Sequence, residues 1–150
     1  MELIQSWMAN GLLQKSNKSA RDLEDIGQQY LNELLSRSFF QEIEQYDHSL
    51  FTFKIHDLLH DLSLYMTQND YYCLIDNTES TNNFEKARHV SIWDKNLGAN
   101  EATQFLRKLS NNVRTIIFQG GWNQYININK SFVETSISRF KHLRLLDLRY

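Results

Sequence analysis

The chain has a single cysteine, Cys73, in 150 residues, so no internal disulfide can form, and it opens without the basic and apolar stretches of a secretory leader. Both absences point to a reducing compartment, cytosol or nucleus. No apolar run approaches the roughly 20 residues that a membrane-spanning helix needs. Positive charge is not in surplus either: 16 Lys and Arg stand against 18 Asp and Glu, for a net charge of −2, which removes the overall field that drives sequence-independent binding to nucleic acid. What is present is 41% hydrophobic and 13% aromatic residues, enough to bury a core in one domain or in two small ones.

The most informative stretch runs from Phe51 to Leu62. Phe51, Phe53 and Ile55 alternate as on one face of a strand, and Leu58, Leu59, Leu62, Tyr65 and Met66 then follow at helical spacing. His56 and Asp57 sit at the junction. The pattern predicts that Asp57 is the N-cap of the new helix, with His56 beside the positive end of its dipole, where an anion such as phosphate is favoured.

Around this junction the periodicity predicts a small mixed domain. Leu3, Ile4, Trp7, Met8 and Leu12 form a helical stripe that Gly11 loosens at its end. Ser19 and Asp22 resemble a capping box opening a second helix, whose apolar face is Leu23, Ile26, Tyr30, Leu31, Leu34 and Leu35 and which ends near Arg37. Residues 38–43 read as a strand, 45–49 as its turn, and 51–55 as the returning strand. Two helices, a β-hairpin and a helix from Asp57 to about Met66 make a winged-helix-like unit in which helix and hairpin packing accounts for every apolar residue up to Met66. An apolar helix that starts almost at Met1 suggests that preceding chain is missing.

The polar run 76–83 has no periodicity and marks a boundary. Beyond it, Arg88–Ile92, Arg114–Phe118 and Arg144–Leu148 are three β-type runs at intervals of roughly 25 to 30 residues, with helical segments at 102–109 and 132–140 between them. Such strand–helix units stack in parallel as a solenoid, and Leu143, Leu146 and Leu148 match the first leucines of a leucine-rich repeat. A chain that stops on such a strand leaves an unpaired edge, a second indication of truncation.

These residues resemble the plant nucleotide-binding leucine-rich-repeat disease-resistance proteins, at the end of their NB-ARC module and the start of their repeats. The resemblance rests on residues 3–13, on Leu34-Leu35-Ser36-Arg37-Ser38-Phe39-Phe40-Gln41, and on Ile55-His56-Asp57 in the place of a Met-His-Asp motif. It continues at Arg88-His89-Val90-Ser91-Ile92 and over 140–148. It implies an α+β fold: a winged-helix subdomain over 1–75, a linker over 76–86, and the first irregular strand–helix units of a leucine-rich-repeat solenoid over 87–150. It further implies that His56 contacts the β-phosphate of ADP and latches this subdomain onto a nucleotide-binding subdomain, with Asp57 supporting the backbone. Ile55 replaces methionine but stays large and apolar, so packing under the latch should survive. The Gly-rich phosphate loop with its Lys is absent from these residues, as is the acidic metal-binding strand. ADP or ATP is therefore expected only in the intact receptor, and no tight nucleotide binding or hydrolysis by this stretch alone.

By the same resemblance the chain is a non-enzymatic regulatory portion of a cytoplasmic or nucleo-cytoplasmic immune receptor. Its partners would be the receptor's own nucleotide-binding and repeat domains and, through repeats not present here, a pathogen effector or a guarded host protein. The alternative is an interaction scaffold, or a non-functional truncated receptor piece, that keeps packing surfaces without switching. Blander readings compete at each site. His56 and Asp57 can be an ordinary helix start; His56 and His60 at i, i+4 with Asp57 and Asp61 imitate a metal face but lack a distant ligand set. Residues 21–37 make a poor DNA-recognition helix, since Asp22, Glu24, Asp25 and Glu33 outnumber Arg21 and Arg37. Trp7, Trp93, Trp122, Phe39 and Phe40 read as core or interface anchors, and Cys73, without a basic neighbour, as a buried structural thiol.

Overall fold

A computed structural model of the chain describes residues 2–14, 22–47, 50–67, 70–75, 86–93, 98–118 and 130–148. They fall into two compact units, Met1–Thr67 and Gln68–Tyr150.

The first unit begins with α1 (Glu2–Ala9) and α2 (Leu23–Ser36). The two helices meet at Gly27, where an added Cβ would lie 2.4 Å from Ile4 Cγ2 and 3.1 Å from Leu13 Cδ1; hydrogen alone fits there. Ile4, Leu13 and Gly27 are the buried residues at this contact. Both helices stop by the same device. Leu12 N–H donates to the Trp7 carbonyl at 2.9 Å and Gly11 N–H to Met8 at 3.0 Å, while Phe39 N–H donates to Leu34 at 3.0 Å and Ser38 N–H to Leu35 at 3.1 Å. This paired closure requires a left-handed residue after the helix, supplied by Gly11 at φ 73° and by Ser38 at φ 59°. Gly11 thus closes its helix where loosening was expected. The expected capping box is not seen: Ser19 lies outside the described residues, and Asp22 itself occupies the cap in extended backbone, without a side-chain cap hydrogen bond.

β1 (Phe40–Asp47) and β2 (Leu50–Ile55) pair antiparallel from Phe40↔Ile55 to Asp47↔Leu50, with two register irregularities. The first strand therefore runs through residues 45–47, expected as turn. Phe40 and Phe53 face each other with ring centroids 4.3 Å apart. α3 (Asp57–Met66) follows directly and buries none of its residues. This corrects the expectation that helix and hairpin packing would cover every apolar side chain up to Met66: Leu58 and Met66 are each 72% exposed and Tyr65 is 71% exposed.

The second unit is a four-stranded sheet in the order β3-β4-β5-β6, every neighbouring pair parallel. Its strands are β3 (Tyr71–Ile75), β4 (His89–Trp93), β5 (Thr115–Phe118) and β6 (Leu145–Asp147), with α4 (Ala99–Lys108) between β4 and β5 and α5 (Lys130–Arg139) between β5 and β6. The three expected β-runs are all strands, and the register Val90↔Ile116↔Leu146 puts matching residues of the sequence echo side by side. Val90, Ile92, Ile116 and Phe118 share one core with Leu106 of α4 and Phe132 of α5; Phe118 and Phe132 meet edge to face at 5.5 Å. β3 was not foreseen. It pairs with β4 over Tyr71↔His89 to Ile75↔Trp93, so the break between units falls at Thr67/Gln68 rather than after residue 75. The linker 76–86 lies outside the described residues except for Lys86.

Candidate functional site

The site is built by the helix closures and the hairpin. The left-handed Ser38 turns the chain out of α2 so that the Phe39 carbonyl accepts the His56 N–H at 3.0 Å. That bond fixes the residue at which β2 ends and α3 begins. His56, with φ −58° and ψ 135°, is the N-cap of α3. Its Nδ1 accepts the Leu58 N–H at 3.2 Å, and its carbonyl accepts the Leu59 and His60 N–H groups, both at 2.9 Å. Asp57, expected as the cap, is instead the first helical residue and is exposed; there its charge favours the helix dipole. The histidine wins the cap because the extended strand ends on it, and a ring nitrogen two bonds from Cβ reaches the N–H of the second helical residue as an Asp oxygen would.

This cap has a chemical consequence. A nitrogen that accepts an N–H carries no proton, so the neutral imidazole holds its hydrogen on Nε2. Nε2–H is then the ring's remaining donor. His56 is half-buried beside the exposed Ile55 and Asp57, and the positive end of the α3 dipole adds to the attraction for an anion. The arrangement suits one hydrogen bond to a phosphate or carboxylate oxygen supplied from outside these residues.

The other sequence candidates separate from it. His60 and Asp61 approach each other at 3.7 Å with side chains 56% and 81% exposed, and among the described residues no group of three or more His, Cys, Asp or Glu could hold a metal ion. Cys73 is a half-buried free thiol. Trp7 is half-buried and lines an apolar cleft with Leu12, Leu13, Tyr30, Leu34 and Phe39, with the ion-paired Glu33 and Arg37 also in its lining; the cleft measures about 380 Å³. Trp93 is 52% exposed, and Trp122 lies outside the described residues. No helix among the described residues is long and apolar enough to cross a membrane.

Sequence reasoning missed the row of residues that opens each strand of the second unit. The Asp70 carbonyl accepts Arg88 and His89 N–H at 2.8 Å each; the Arg88 carbonyl accepts Arg114 and Thr115 at 2.7 and 3.1 Å; the Arg114 carbonyl accepts Arg144 and Leu145 at 2.7 and 3.1 Å. Asp70, Arg88, Arg114 and Arg144 are successive rungs. The Arg88 guanidinium bonds both Asp70 carboxylate oxygens, Nε to Oδ1 at 3.0 Å and Nη2 to Oδ2. That pair holds the Asp70 carboxyl below the usual carboxylate range, mainly through the Arg88 hydrogen bond and against a smaller desolvation effect. His89 is held below the usual imidazole range by burial first, then by the charges of Arg88 and Arg114. The three arginines were visible as the first residue of each repeated run, but their alignment required the register.

Two helices, an antiparallel hairpin and a helix leaving its second strand through a capping histidine define the first unit as a winged helix. Residues 1–63 match the winged helix domain of disease resistance proteins. The chain is 38% identical over 104 residues, 69% of its length, to disease resistance protein RGA2 of Solanum bulbocastanum, and 35% identical over 151 aligned positions, 97% of its length, to putative disease resistance protein RGA1 of the same species. Over 61 residues, 41% of the chain, it is 52% identical to putative disease resistance protein RGA4 of that species. It belongs to the plant disease resistance proteins, and its first unit is their winged helix domain. The alignments cover 10%, 14% and 6% of these three relatives respectively.

Proposed function

We propose that the chain is the regulatory winged-helix portion of a nucleotide-dependent switch in an intracellular plant immune receptor, followed by the first units of its leucine-rich repeats. It acts by binding rather than as an enzyme. The observation that carries the reading is the division of labour on one ring: Nδ1 of His56 is engaged by Leu58 N–H, which leaves Nε2–H to donate to an oxygen of the ADP β-phosphate. ADP held by a separate nucleotide-binding lobe supplies that negative charge when bound. His56 and the start of α3 then bias the receptor toward the closed state, because their interaction exists only while the two lobes are together. Asp57 supports the turn as the first helical residue.

The exposed apolar side chains of α3 support the same reading. Leu58, Leu62 and Tyr65 recur at i, i+4 and i+7 and are 72%, 54% and 71% exposed, so the helix that carries the latch also offers a stripe for a lobe to cover. The second unit, with matching strands in register and a leucine pattern in the last, serves as the beginning of a recognition surface that reads effector or guarded host protein through later repeats. In the intact receptor, His56→Ala and Asp57→Val are expected to shorten ADP retention and raise ligand-independent signalling at unchanged protein levels. Normal ADP occupancy and quiet signalling in both variants would count against the latch.

A further inference from the structure

The two helix closures of the first unit also shape a cavity. In a closure of this kind the residue that donates the outer return bond commonly packs its side chain near the residue that accepts it. Those pairs are Leu12 with Trp7 and Phe39 with Leu34, and all four residues line the apolar cleft of about 380 Å³. Backbone hydrogen bonds of 2.9 and 3.0 Å therefore join the residues of its walls, so the space is set by the turns that end α1 and α2. The cleft stays open to water: Leu12 is 63% exposed, Tyr30 44% and Phe39 37%. Its volume, and a lining that is apolar apart from a few polar groups, are those of a small-molecule site.

The polar groups indicate what such a molecule must carry. Glu33 and Arg37 are the charged residues of the lining, and they meet through a single contact, Arg37 Nη2 to Glu33 Oε1 at 2.6 Å. A guanidinium presents five N–H donors in a planar fork. Among the described residues Nε and Nη1 of Arg37 have no partner, and neither do the Trp7 indole N–H and the Tyr30 hydroxyl. Asp70 shows on Arg88 what a carboxylate does with such a fork, taking Nε and Nη2 together. The lining thus holds donors in surplus, while its one carboxylate is already engaged.

We propose that this cleft binds a small apolar monocarboxylate, an acid with an aromatic or short aliphatic body. The body displaces water from the apolar walls, and the carboxylate takes the unpaired edge of the Arg37 guanidinium in a charge-assisted contact. The site is formed by α1, α2 and the turns that end them and makes no use of the His56 ring, so it stands or falls separately from the latch.

The test is calorimetric titration of the 150-residue chain with naphthalene-2-carboxylate at neutral pH and low salt, which should show saturable binding at a single site. Naphthalene-2-carboxamide keeps the body without the charge and should bind about tenfold or more weakly, as loss of a hydrogen bond between charged groups predicts. Arg37→Gln should weaken the acid by a similar factor and leave the amide nearly unchanged, a split that a merely structural role for Arg37 does not produce. Glu33→Gln, by releasing Arg37, should tighten the acid several-fold. Arg107→Gln, the same change on exposed α4 of the second unit, should alter neither. Circular dichroism identifies any variant that has lost its fold; if Arg37→Gln is one, the ratio of acid to amide affinity in the unaltered chain decides. Absence of saturable binding, equal affinities for acid and amide, or an acid affinity unchanged in a folded Arg37→Gln would overturn the proposal. So would tighter binding of 2-naphthylmethylammonium than of the acid, since Glu33 would then be the group that selects the ligand.

Discussion

Replacing His56 by aspartate separates the two jobs assigned to the ring. Nδ1 caps α3 by accepting Leu58 N–H at 3.2 Å, and an aspartate oxygen accepts the same N–H at an N-cap while favouring the helix dipole. Alanine has no acceptor. In the isolated chain, His56→Ala should therefore lower the stability of the winged helix by about 1 kcal/mol, the usual cost of a lost cap, and His56→Asp should stay within a few tenths of wild type; denaturant midpoints measure both. In the intact receptor the ranking changes, because both variants lack the Nε2–H donor. A hydrogen bond to a charged group contributes about 1.5–3 kcal/mol, which corresponds to about 10- to 150-fold faster loss of ADP. Aspartate also sets a negative charge beside the phosphate and should be the worse of the two. The assay is the release rate of labelled ADP from the purified receptor. An aspartate variant that kept the cap and still held ADP as long as wild type would refute the assignment of Nε2 to the phosphate.

Three further outcomes test the fold that carries this site. Gly27→Ala places a methyl 2.4 Å from Ile4 Cγ2; overpacking of about 1–3 kcal/mol should outweigh the roughly 1 kcal/mol that alanine adds to a helix, so the first unit should unfold at lower denaturant. Ser38→Gly relieves a serine at φ 59° and should stabilise the same unit by about 0.5–1 kcal/mol, read from the same midpoints, with the Phe39 carbonyl still holding His56. Asp70 titrates below its unfolded value because Arg88 bonds its charged form. Its contribution is thus complete above the ordinary carboxylate range and is lost as pH falls through the depressed folded value. Unfolding of the second unit followed from pH 6 down to about pH 2 should show this acid-side loss, and Asp70→Asn should remove it.

The elements that sequence reasoning placed well are those whose signal is local. α2 carries a long helical stripe, and the β2–α3 junction changes period within two residues; both were legible, as was the echo behind β4, β5 and β6. The misplacements were settled by neighbours in space. Tyr71–Ile75 is five residues of β-favouring type behind the turn-type pair Asn69-Asp70, but it lies outside the repeated runs, and only pairing with His89–Trp93 makes it the first strand of the second unit. At the site, residue types marked the His56-Asp57 junction but gave the cap to Asp57, the better capping residue, where the structure has His56. The Phe39–His56 backbone bond, set up by a left-handed serine that no propensity favours, moved the helix start back by one and put the histidine in the cap.

The largest departure lies in α3, and its cause is general. Helical spacing of Leu58, Leu62, Tyr65 and Met66 establishes that one side of a helix prefers to leave water, but it carries no information about what will cover it. Within the first unit the obvious cover was the hairpin, yet all four side chains remain more than half exposed. Burying one such side chain fully contributes about 1.5–3 kcal/mol, so a lobe that closed over several of them would gain more than the single imidazole–phosphate hydrogen bond supplies. In the proposed receptor the two contributions have different roles. The apolar stripe would hold any well-fitting surface regardless of nucleotide, whereas the Nε2–H of His56 rewards closure only when a phosphate oxygen is present to accept it. Sensitivity to nucleotide would thus rest on the weaker contact, and mutations along the stripe should shift the open–closed balance while leaving the preference for ADP intact.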